Sequence, residues 1–345
     1  MNRVCQTRIA LAAACVFIAP GVWANSYTIV DLGDCDCRPA AISAGGVIVA
    51  SKVAAPLRGQ EYRGGKWHNF PPRSQLTAIN KEGVVGGYFE GGENDGKAAI
   101  WPRAGAATLI DPPAGGRDAR VQGLDANQTA VGTYVLDGHD RCFIHSPGHD
   151  AVDLGLPAGA LDCVAHSVTD YSAAGTATLS NGHKRGFYKN FFTGLFYDIG
   201  VLPGADYTEA RQHDRDGAIV GTSGWDSGGA HAIWWPGVLV DLDPEGRYYE
   251  SVALSISPNK EAFVVGLARE CEGCPSIAVR FDVTSRPHVV VPLIAEVSNP
   301  GTWKSLSRAT SVNGKGIIVG WGDNGVRSDE PFMLVPEADA PISSP

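Results

Sequence analysis

The chain has 345 residues and a net charge of −9, with 28 Lys and Arg against 37 Asp and Glu. This balance argues against a nucleic-acid partner, because there is no excess of basic side chains to replace phosphate counterions. The 43 glycines follow no collagen period. With aliphatic segments between them, they indicate many tight turns in a folded protein rather than disorder.

Residues 1–24 have the pattern of an export signal peptide. Two arginines precede an apolar stretch, and small residues follow it at the expected cleavage site. The mature chain is then expected to begin at Asn25 and to be periplasmic or extracellular. A lipid anchor at Cys15 is the alternative, but that cysteine lies inside the apolar stretch. No later segment approaches the roughly 20 apolar residues of a membrane-spanning helix, so no transmembrane segment is expected.

Seven copies of one short pattern follow this leader. In the second copy, residues 76–88 read LTAINKEGVVGGY, which is two apolar runs separated by a polar turn. Successive copies have their central glycines 43 to 54 residues apart. Repetition at this period is typical of a β-propeller, in which each repeat forms one sheet, or blade. The other copies begin at Pro39, Val121, Ala165, Ala210, Ala253 and Ala309.

Each repeat contains four short apolar runs separated by turn-forming residues, which predicts a four-stranded antiparallel blade without helices. The seventh repeat has no fourth run, whereas segment 27–33, YTIVDLG, has the ending of a fourth strand. We therefore expect residues 25–337 to form an all-β, seven-bladed β-propeller, closed by the N-terminal strand completing the last blade. Such closure removes exposed sheet edges. Residues 338–345 are expected to be a flexible tail.

Two positions within the repeat have structural interpretations. The position of Asn80 carries a short polar side chain in every copy, which predicts a turn stabilised by a side-chain bond to the backbone. Gly86 recurs as glycine in five other copies. A residue without a side chain in mid-strand predicts a β-bulge or the close approach of another sheet.

The segment SQLTAINKEGVVG from Ser74, with HAIWW from His231 and AVDLG from Ala151, resembles the HAF repeat family of probable extracellular proteins. The resemblance covers essentially the whole mature chain. It implies an exported repeat protein of largely unassigned function. It carries over no catalytic residues.

The mature chain contains six cysteines, and an even number in an exported protein favours disulfides over free thiols. The state of Cys35 and Cys37 stays open, because they are too close in sequence for an easy bridge. A zinc site built from the CDC and CEGC segments is the alternative, but these lie in repeats 1 and 6, which are not neighbours. No metal or cofactor is predicted. The predicted disulfides are Cys142 with Cys163 and Cys271 with Cys274.

The long connections from the fourth strand of one blade to the first strand of the next open on one face of the predicted ring, where loop variation can build a site. Aromatic and charged side chains there suit a polar ligand such as a glycan or peptide, or a protein partner. The opposite face has short turns and is expected to offer little material for a pocket. A solvated rim with local ion pairs is the alternative. The predicted ligand-binding residues are Arg38, Arg120, His166, Arg211, Tyr248, Trp303 and Arg308.

The repeats therefore predict an exported, monomeric binding or interaction module. The alternative is a hydrolase or lyase acting on glycans. However, His213 occupies the aliphatic position of Ile79, so we expect it to be buried. No nucleophile elbow, zinc-protease motif or phosphate loop is present, and no catalytic residue is predicted. The enzyme alternative would depend on His166, Asp170, Glu209, His213 and Asp214.

Overall fold

A computed structural model describes residues 26–103, 106–258 and 263–337 of the chain. These ranges contain 28 β-strands and one short 3₁₀ helix, Leu293–Glu296. The predicted signal peptide and the predicted C-terminal tail lie outside them. Within the described ranges, no helix has the length and apolar character needed to cross a membrane.

The strands are numbered in chain order. The first fourteen are β1 (Tyr27–Asp31), β2 (Cys37–Ile42), β3 (Ile48–Lys52), β4 (Arg58–Arg63), β5 (Lys66–Pro72), β6 (Ser74–Ile79), β7 (Val85–Phe89), β8 (Ala98–Trp101), β9 (Thr108–Ile110), β10 (Arg117–Leu124), β11 (Ala130–Leu136), β12 (His139–His145), β13 (Val152–Asp153) and β14 (Ala160–Thr169). The rest are β15 (Ser172–Leu179), β16 (Lys184–Asn190), β17 (Phe196–Asp198), β18 (Tyr207–His213), β19 (Ile219–Gly224), β20 (Ala230–Trp235), β21 (Val240–Asp241), β22 (Glu250–Ile256), β23 (Phe263–Arg269), β24 (Ile277–Asp282), β25 (Val289–Pro292), β26 (Ser305–Val312), β27 (Ile318–Asp323) and β28 (Glu330–Pro336).

The fold is all-β and propeller-like, and it consists of four-stranded antiparallel groups. Five of the sheets in the described ranges have four strands each. The remaining sheet has eight, because one parallel bridge between Ala230 and Glu250 joins the groups β18–β21 and β22–β25. Within each group the chain passes from one strand to its hydrogen-bonded neighbour. The prediction of an all-β fold made of four-stranded sheets is confirmed.

Burial decreases from the inner strands to the fourth strand of a group. Every residue of β19, the second strand of its group, is buried, whereas both residues of the outer strand β13 are exposed. Second strands have neighbouring sheets on both faces, which explains their small and aliphatic composition. Most fourth strands are short and partly exposed, so they tolerate the acidic ends seen in the sequence.

The N-terminal strand joins the last sheet rather than the first. Strand β1 pairs antiparallel with β28, from Tyr27 opposite Pro336 to Asp31 opposite Phe332, giving the sheet order β1-β28-β27-β26. Tyr27 is only 1% exposed and packs in one hydrophobic cluster with Phe332 and Trp303. The two ends of the described chain therefore share one sheet and one core.

A β-bulge interrupts the first strand of every group at the same position. In β14 the register shifts between Ala165 and Ser167, so His166 has no cross-strand partner. A bulge of this kind turns a side chain away from the direction it would have in a regular strand. Equivalent shifts leave six further residues unpaired: Ala40, Thr77, Gln122, Arg211, Leu254 and Thr310.

Glycine opposite the bulge is required by the approach of a carbonyl group. A Cβ atom on Gly132 would lie 1.9 Å from the carbonyl oxygen of Arg120, and the same distance recurs at other copies of the glycine. From the repeat pattern, this position in the second repeat was predicted to be Gly86, which is wrong by one residue. Gly87 is the equivalent residue, because its Cβ would meet the carbonyl oxygen of Gln75.

The polar residue at the Asn80 position stabilises a turn, as predicted. Oδ1 of Asn80 accepts hydrogen bonds from the backbone N–H groups of Glu82 and Val84 at 3.1 and 2.9 Å. Its Nδ2 donates to the carbonyl oxygen of Asp125 in the next group at 2.8 Å. The side chain therefore holds its own turn and also links two neighbouring groups.

Side chains, rather than sheet pairing, connect neighbouring first strands. The residue that follows the bulge accepts, through its side-chain oxygen, a hydrogen bond from a backbone N–H of the next first strand. Ser167 accepts from His213, Gln212 from Ile256, and Ser255 from Val312. The same link joins the last group to the first, where Ser311 Oγ accepts from the N–H of Ile42 at 3.3 Å. These bonds hold the bulged segments in a fixed order around one space.

Three disulfides are present in the described ranges: Cys35–Cys37, Cys142–Cys163 and Cys271–Cys274. The Cys142–Cys163 bond connects β12 to β14 in the next sheet, and both cysteines are buried in one cluster. Its Cα atoms are 5.4 Å apart, within the usual range for a disulfide. Among the described residues, no group of three or more metal-ligating side chains could hold a metal ion.

Candidate functional site

The seven bulged residues meet around a central cavity of about 620 Å³. Its wall combines the middle of each first strand with the turn that follows. Hydroxyl, amide and charged side chains predominate, and Leu254 is the largest apolar side chain among the bulged residues. A polar cavity of this size is within the usual range for small-molecule sites.

The cavity lies toward the turn ends of the first strands, where the short turns predicted little material for a pocket. Exposed turn residues such as Lys81, Asn127, Asp170 and Arg215 line it. Nδ2 of Asn127 donates to Oδ1 of Asp170 at 2.8 Å, so successive turns contact each other. The turns are short, as predicted, but they converge around one space and so enclose a pocket that no single turn could form.

Two of the predicted ligand-binding residues, His166 and Arg211, line this cavity from neighbouring first strands. Arg211 forms an ion pair with Glu209, and Nζ of Lys184 bonds the same carboxylate at 2.6 Å. Burial would raise the pKa of Glu209, but the charges of Arg211 and Lys184 outweigh it and hold that pKa below its usual value. Burial and the charge of Arg211 lower the pKa of His166 to about 4, so the imidazole is neutral at pH 7.

His213 is held as a neutral, buried imidazole. It is 4% exposed, and its Nδ1 and Nε2 lie 2.7 and 3.0 Å from the hydroxyl oxygens of Ser167 and Ser172. Burial lowers the pKa of His213 to about 4. The prediction that His213 is buried is confirmed. Among the described residues, no carboxylate bonds this imidazole, so the arrangement lacks the acidic group that orients the base in a catalytic triad.

Arg38 and Arg308 share one aromatic ring near the start of the first strands. Their guanidinium carbons lie 5.2 and 5.5 Å from the ring centre of Trp321. Arg38 also pairs with Asp329 at 3.1 Å, and both of these side chains are half exposed. Burial, followed by the charges of Arg211, Arg269 and Arg38, lowers the pKa of Arg308 below its usual value. Of these arginines, only Arg211 is among the residues that line the cavity.

The other three predicted residues lie elsewhere. Tyr248 and Trp303 are 4% and 9% exposed and pack in separate hydrophobic clusters, so neither offers its ring to a ligand. Arg120 is exposed on β10 and lies 4.8 Å from the ring centre of Tyr88. The two aromatic residues were predicted from loops, but those loops fold back and use the rings as core.

The polar bulged residues Thr77, Gln122 and Thr310 were not among the predicted ligand-binding residues. A signal for them was present, since each follows by one position the residue that faces the strand-two glycine. With Gly87 in place of Gly86, the spacing from the Asn80 position to the glycine is the same in most repeats. This offset would then have marked the bulged position in most copies.

No protein-family model matches the chain, and no curated protein matches it. Among solved structures, it is similar to a Mycobacterium tuberculosis puromycin-hydrolyzing peptidase, with 14% identity and a TM-score of 0.34 over 54% of this chain and 33% of that one. A puromycin hydrolase has 15% identity and a TM-score of 0.47, over 77% of this chain and 45% of that one. TolB from Acinetobacter baumannii has 13% identity and a TM-score of 0.41, over 85% of this chain and 80% of that one. The chain thus spans less than half the length of the first two, and at these scores the similarities assign it no activity.

Proposed function

We propose that this chain is an exported, seven-bladed β-propeller of the HAF repeat type that binds a polar ligand, such as a glycan or a peptide, in its central cavity. Export is supported by the leader pattern of residues 1–24 and by three disulfides, which persist in oxidising compartments.

Contacts between the first strands support the seven-membered ring. Each first strand contacts the next one in chain order, from β2 through β6, β10, β14, β18 and β22 to β26, and β26 contacts β2. The Nδ2 of Asn313 donates to the carbonyl oxygen of Ser43 at 3.1 Å, repeating between the last and first groups the bond that Asn80 makes to its neighbour. A ring closed in this way has no exposed sheet edge at the junction.

The observation that carries the binding function is the convergence of seven bulged residues on one polar cavity. Bulges recur beside functional sites because they redirect side chains without disrupting the rest of the sheet. The bulged positions differ in chemistry while the glycine opposite them hardly varies. Shared backbone geometry with varied side chains is what a recognition surface requires, because specificity comes from the few polar groups that line a pocket.

A blocking substitution tests this function. Ala40 lines the cavity and is itself half-buried, so Ala40→Trp should fill much of the space near it. The same tryptophan at Val152, which is 55% exposed on the outer strand β13, is the matched control. The mature protein is first screened against glycans and peptides, and the affinity of both variants for each ligand found is then measured by calorimetry.

We expect Ala40→Trp to lower affinity by at least about tenfold while Val152→Trp has no effect. A bound ligand with undiminished affinity for the Ala40→Trp variant would place the site elsewhere and contradict the proposal. Melting midpoints of both variants show whether any loss of binding comes from loss of folding.

A further inference from the structure

Tyr171 and Phe192 form an exposed aromatic stack on the sheet β14–β17. Their ring centres are 5.3 Å apart, the ring planes are inclined by only 23°, and the side chains are 46% and 78% exposed. Leu195 and Tyr197, beside and within β17, are also exposed, so apolar surface is concentrated on this sheet. Single exposed apolar residues are ordinary, whereas exposed apolar surface shared by neighbouring residues marks interaction sites.

Backbone hydrogen bonds hold the two rings in place. Oδ1 of Asn190 accepts from the N–H groups of Phe192 and Thr193 at 2.9 and 3.1 Å, which fixes the turn that carries Phe192. The N–H of Phe191 donates to the carbonyl oxygen of Tyr171 at 2.9 Å and ties this turn to the turn of Tyr171. Because two connected turns present the rings, little conformational entropy is lost when a ligand packs on them.

The stack stands on the same turn as a residue that lines the central cavity. Asp170 and Tyr171 are the two residues between Thr169 and Ser172, which pair across β14 and β15. Asp170 lines the cavity, and its Oδ1 accepts from Nδ2 of Asn127, another lining residue, at 2.8 Å. A ligand that is longer than the cavity and leaves it past Asp170 therefore reaches the rings next.

The charged side chains of the cavity wall balance one another. Among the described residues that line the cavity, cations and carboxylates are equal in number. The cations are Lys81, Arg211 and Arg215, and the carboxylates are Asp125, Asp170 and Asp214. His166 and His213 are neutral at pH 7, because burial lowers the pKa of each to about 4. This wall favours a ligand without net charge that offers many hydrogen-bonding groups.

A carbohydrate suits both the polar wall and the aromatic stack. In a β-linked sugar of gluco configuration every ring substituent is equatorial, so both ring faces carry only C–H groups, which pack on the negative face of an aromatic ring. The hydroxyl groups at the edge of such a sugar match carboxylate and amide groups like those of Asp170 and Asn127. A proline-rich peptide also packs on aromatic rings, but its prolines have no N–H groups to bond the carboxylates of the wall.

We propose that the ligand of the central cavity is a neutral, β-linked glycan of gluco-configured sugars, one ring of which packs on the stack of Tyr171 and Phe192. The inference rests on the proposed binding function and names the ligand class for it.

Cellohexaose and chitohexaose are the sugar probes, since both are neutral and β-linked with gluco configuration, and hexaproline is the peptide probe. Affinities are measured by calorimetry on the wild-type protein, on the double variant Tyr171→Ala, Phe192→Ala, and on Phe192→Trp, which keeps an aromatic face at the same place. The control variant is Tyr249→Ala. Tyr249 is 36% exposed and lies in the connection between β21 and β22, away from the turns that line the cavity.

We expect at least one hexasaccharide to bind, and the double variant to weaken its affinity at least about tenfold. Tyr249→Ala and Phe192→Trp should retain the wild-type affinity. Phe192→Trp should also add a fluorescence change on sugar binding that the wild-type protein lacks, which reports contact at that position rather than an effect on folding. Equal affinity of the double variant and the wild type, or tighter binding of hexaproline than of either sugar, would overturn the inference.

Gel filtration checks the other occupant of an exposed aromatic surface, a second copy of the chain. We expect the wild-type protein without ligand to elute as a monomer. A wild-type dimer that the double variant dissociates would assign the rings to self-association and overturn the inference.

The Ala40→Trp variant separates this inference from the binding function. Sugar affinity lowered by Ala40→Trp but not by the double variant would overturn the ring contact and leave the binding cavity in place. Sugar affinity lowered by the double variant but not by Ala40→Trp would overturn the central cavity as the site, and with it a ligand that extends from cavity to stack. If neither hexasaccharide binds while the screen finds another ligand that Ala40→Trp blocks, only the ligand class is wrong. If the screen finds no ligand at all, both proposals fail.

Discussion

The carbonyl oxygen of Glu209 lies against the backbone of Gly221, 1.9 Å from where a Cβ atom on that residue would stand. A β-bulge at Arg211, which lines the cavity, lies two residues beyond this carbonyl group on the same strand. We therefore expect Gly221→Ala to lower the free energy of unfolding by about 1–3 kcal/mol, since the strands must separate to admit the methyl group. Urea denaturation measures the change.

Gly45 provides the matched control for this substitution. Its nearest atom outside the adjacent residues would lie 3.8 Å from an added Cβ, and its φ angle does not favour glycine. Gly45→Ala should change the free energy of unfolding by less than about 0.5 kcal/mol. Equal effects of the two substitutions would show that the carbonyl approach at Gly221 is unimportant.

Loss of the N-terminal strand should destabilise the whole fold. A mature chain that begins at Asp34 lacks β1 and leaves the edge of β28 unpaired. We expect a lower melting midpoint and association into oligomers, because an unpaired edge recruits other strands. Calorimetry and gel filtration measure the two effects. A truncated protein with the melting midpoint and monomeric state of the full mature chain would contradict the pairing of the chain ends.

Replacing a single side chain of β1 tests the contribution of this strand with a smaller change. Tyr27 is 1% exposed, so Tyr27→Ala should cost about 3–5 kcal/mol of unfolding free energy, as for other large aromatic residues in cores. Thr28 is exposed on the same strand, and Thr28→Ala should have little effect. If both variants lost the same amount of unfolding free energy, strand pairing rather than burial of the Tyr27 ring would account for the stability that β1 contributes.

Buried His213 should make stability depend on pH. Burial lowers its pKa from 6.5 to about 4, so between these values the unfolded chain binds the proton more readily than the folded one. Stability from this group is complete above pH 6.5 and is lost as the pH falls toward 4, by at most about 1.4 kcal/mol per pH unit. His213→Gln cannot titrate and should give a flatter curve in urea denaturation. An unchanged slope would contradict this assignment.

The disulfide between Cys142 and Cys163 should contribute to stability more than the others. It closes a loop across two sheets with a sequence separation of 21, whereas Cys271 and Cys274 are separated by 3. Replacing both members of the first pair by alanine should cost about 3 kcal/mol in the chain-entropy model. The same change at the second pair should cost less, and denaturation of both variants without reductant checks the order.

The repeat pattern by itself determined the all-β class, the four-strand grouping and the turn at Asn80. These features depend on contacts between residues close in sequence, and such contacts leave a regular spacing of apolar and turn residues. The same regularity identified the segment 27–33 as a fourth strand, which the structure pairs with β28. The repeat pattern could not fix the strand register within a repeat. The glycine of the second repeat was misplaced by one residue, because Gly86 and Gly87 are chemically identical and differ only in their cross-strand partners.

Only the tertiary structure decided where side chains converge. Tyr248 and Trp303 lie in connections whose aromatic and charged residues predicted a binding face, yet packing against distant strands buries them. His166 and Arg211 are 45 positions apart in the chain but share one cavity, because equivalent bulges in neighbouring sheets point the same way. A repeated sequence encodes each sheet separately. The cavity arises only when the sheets pack together.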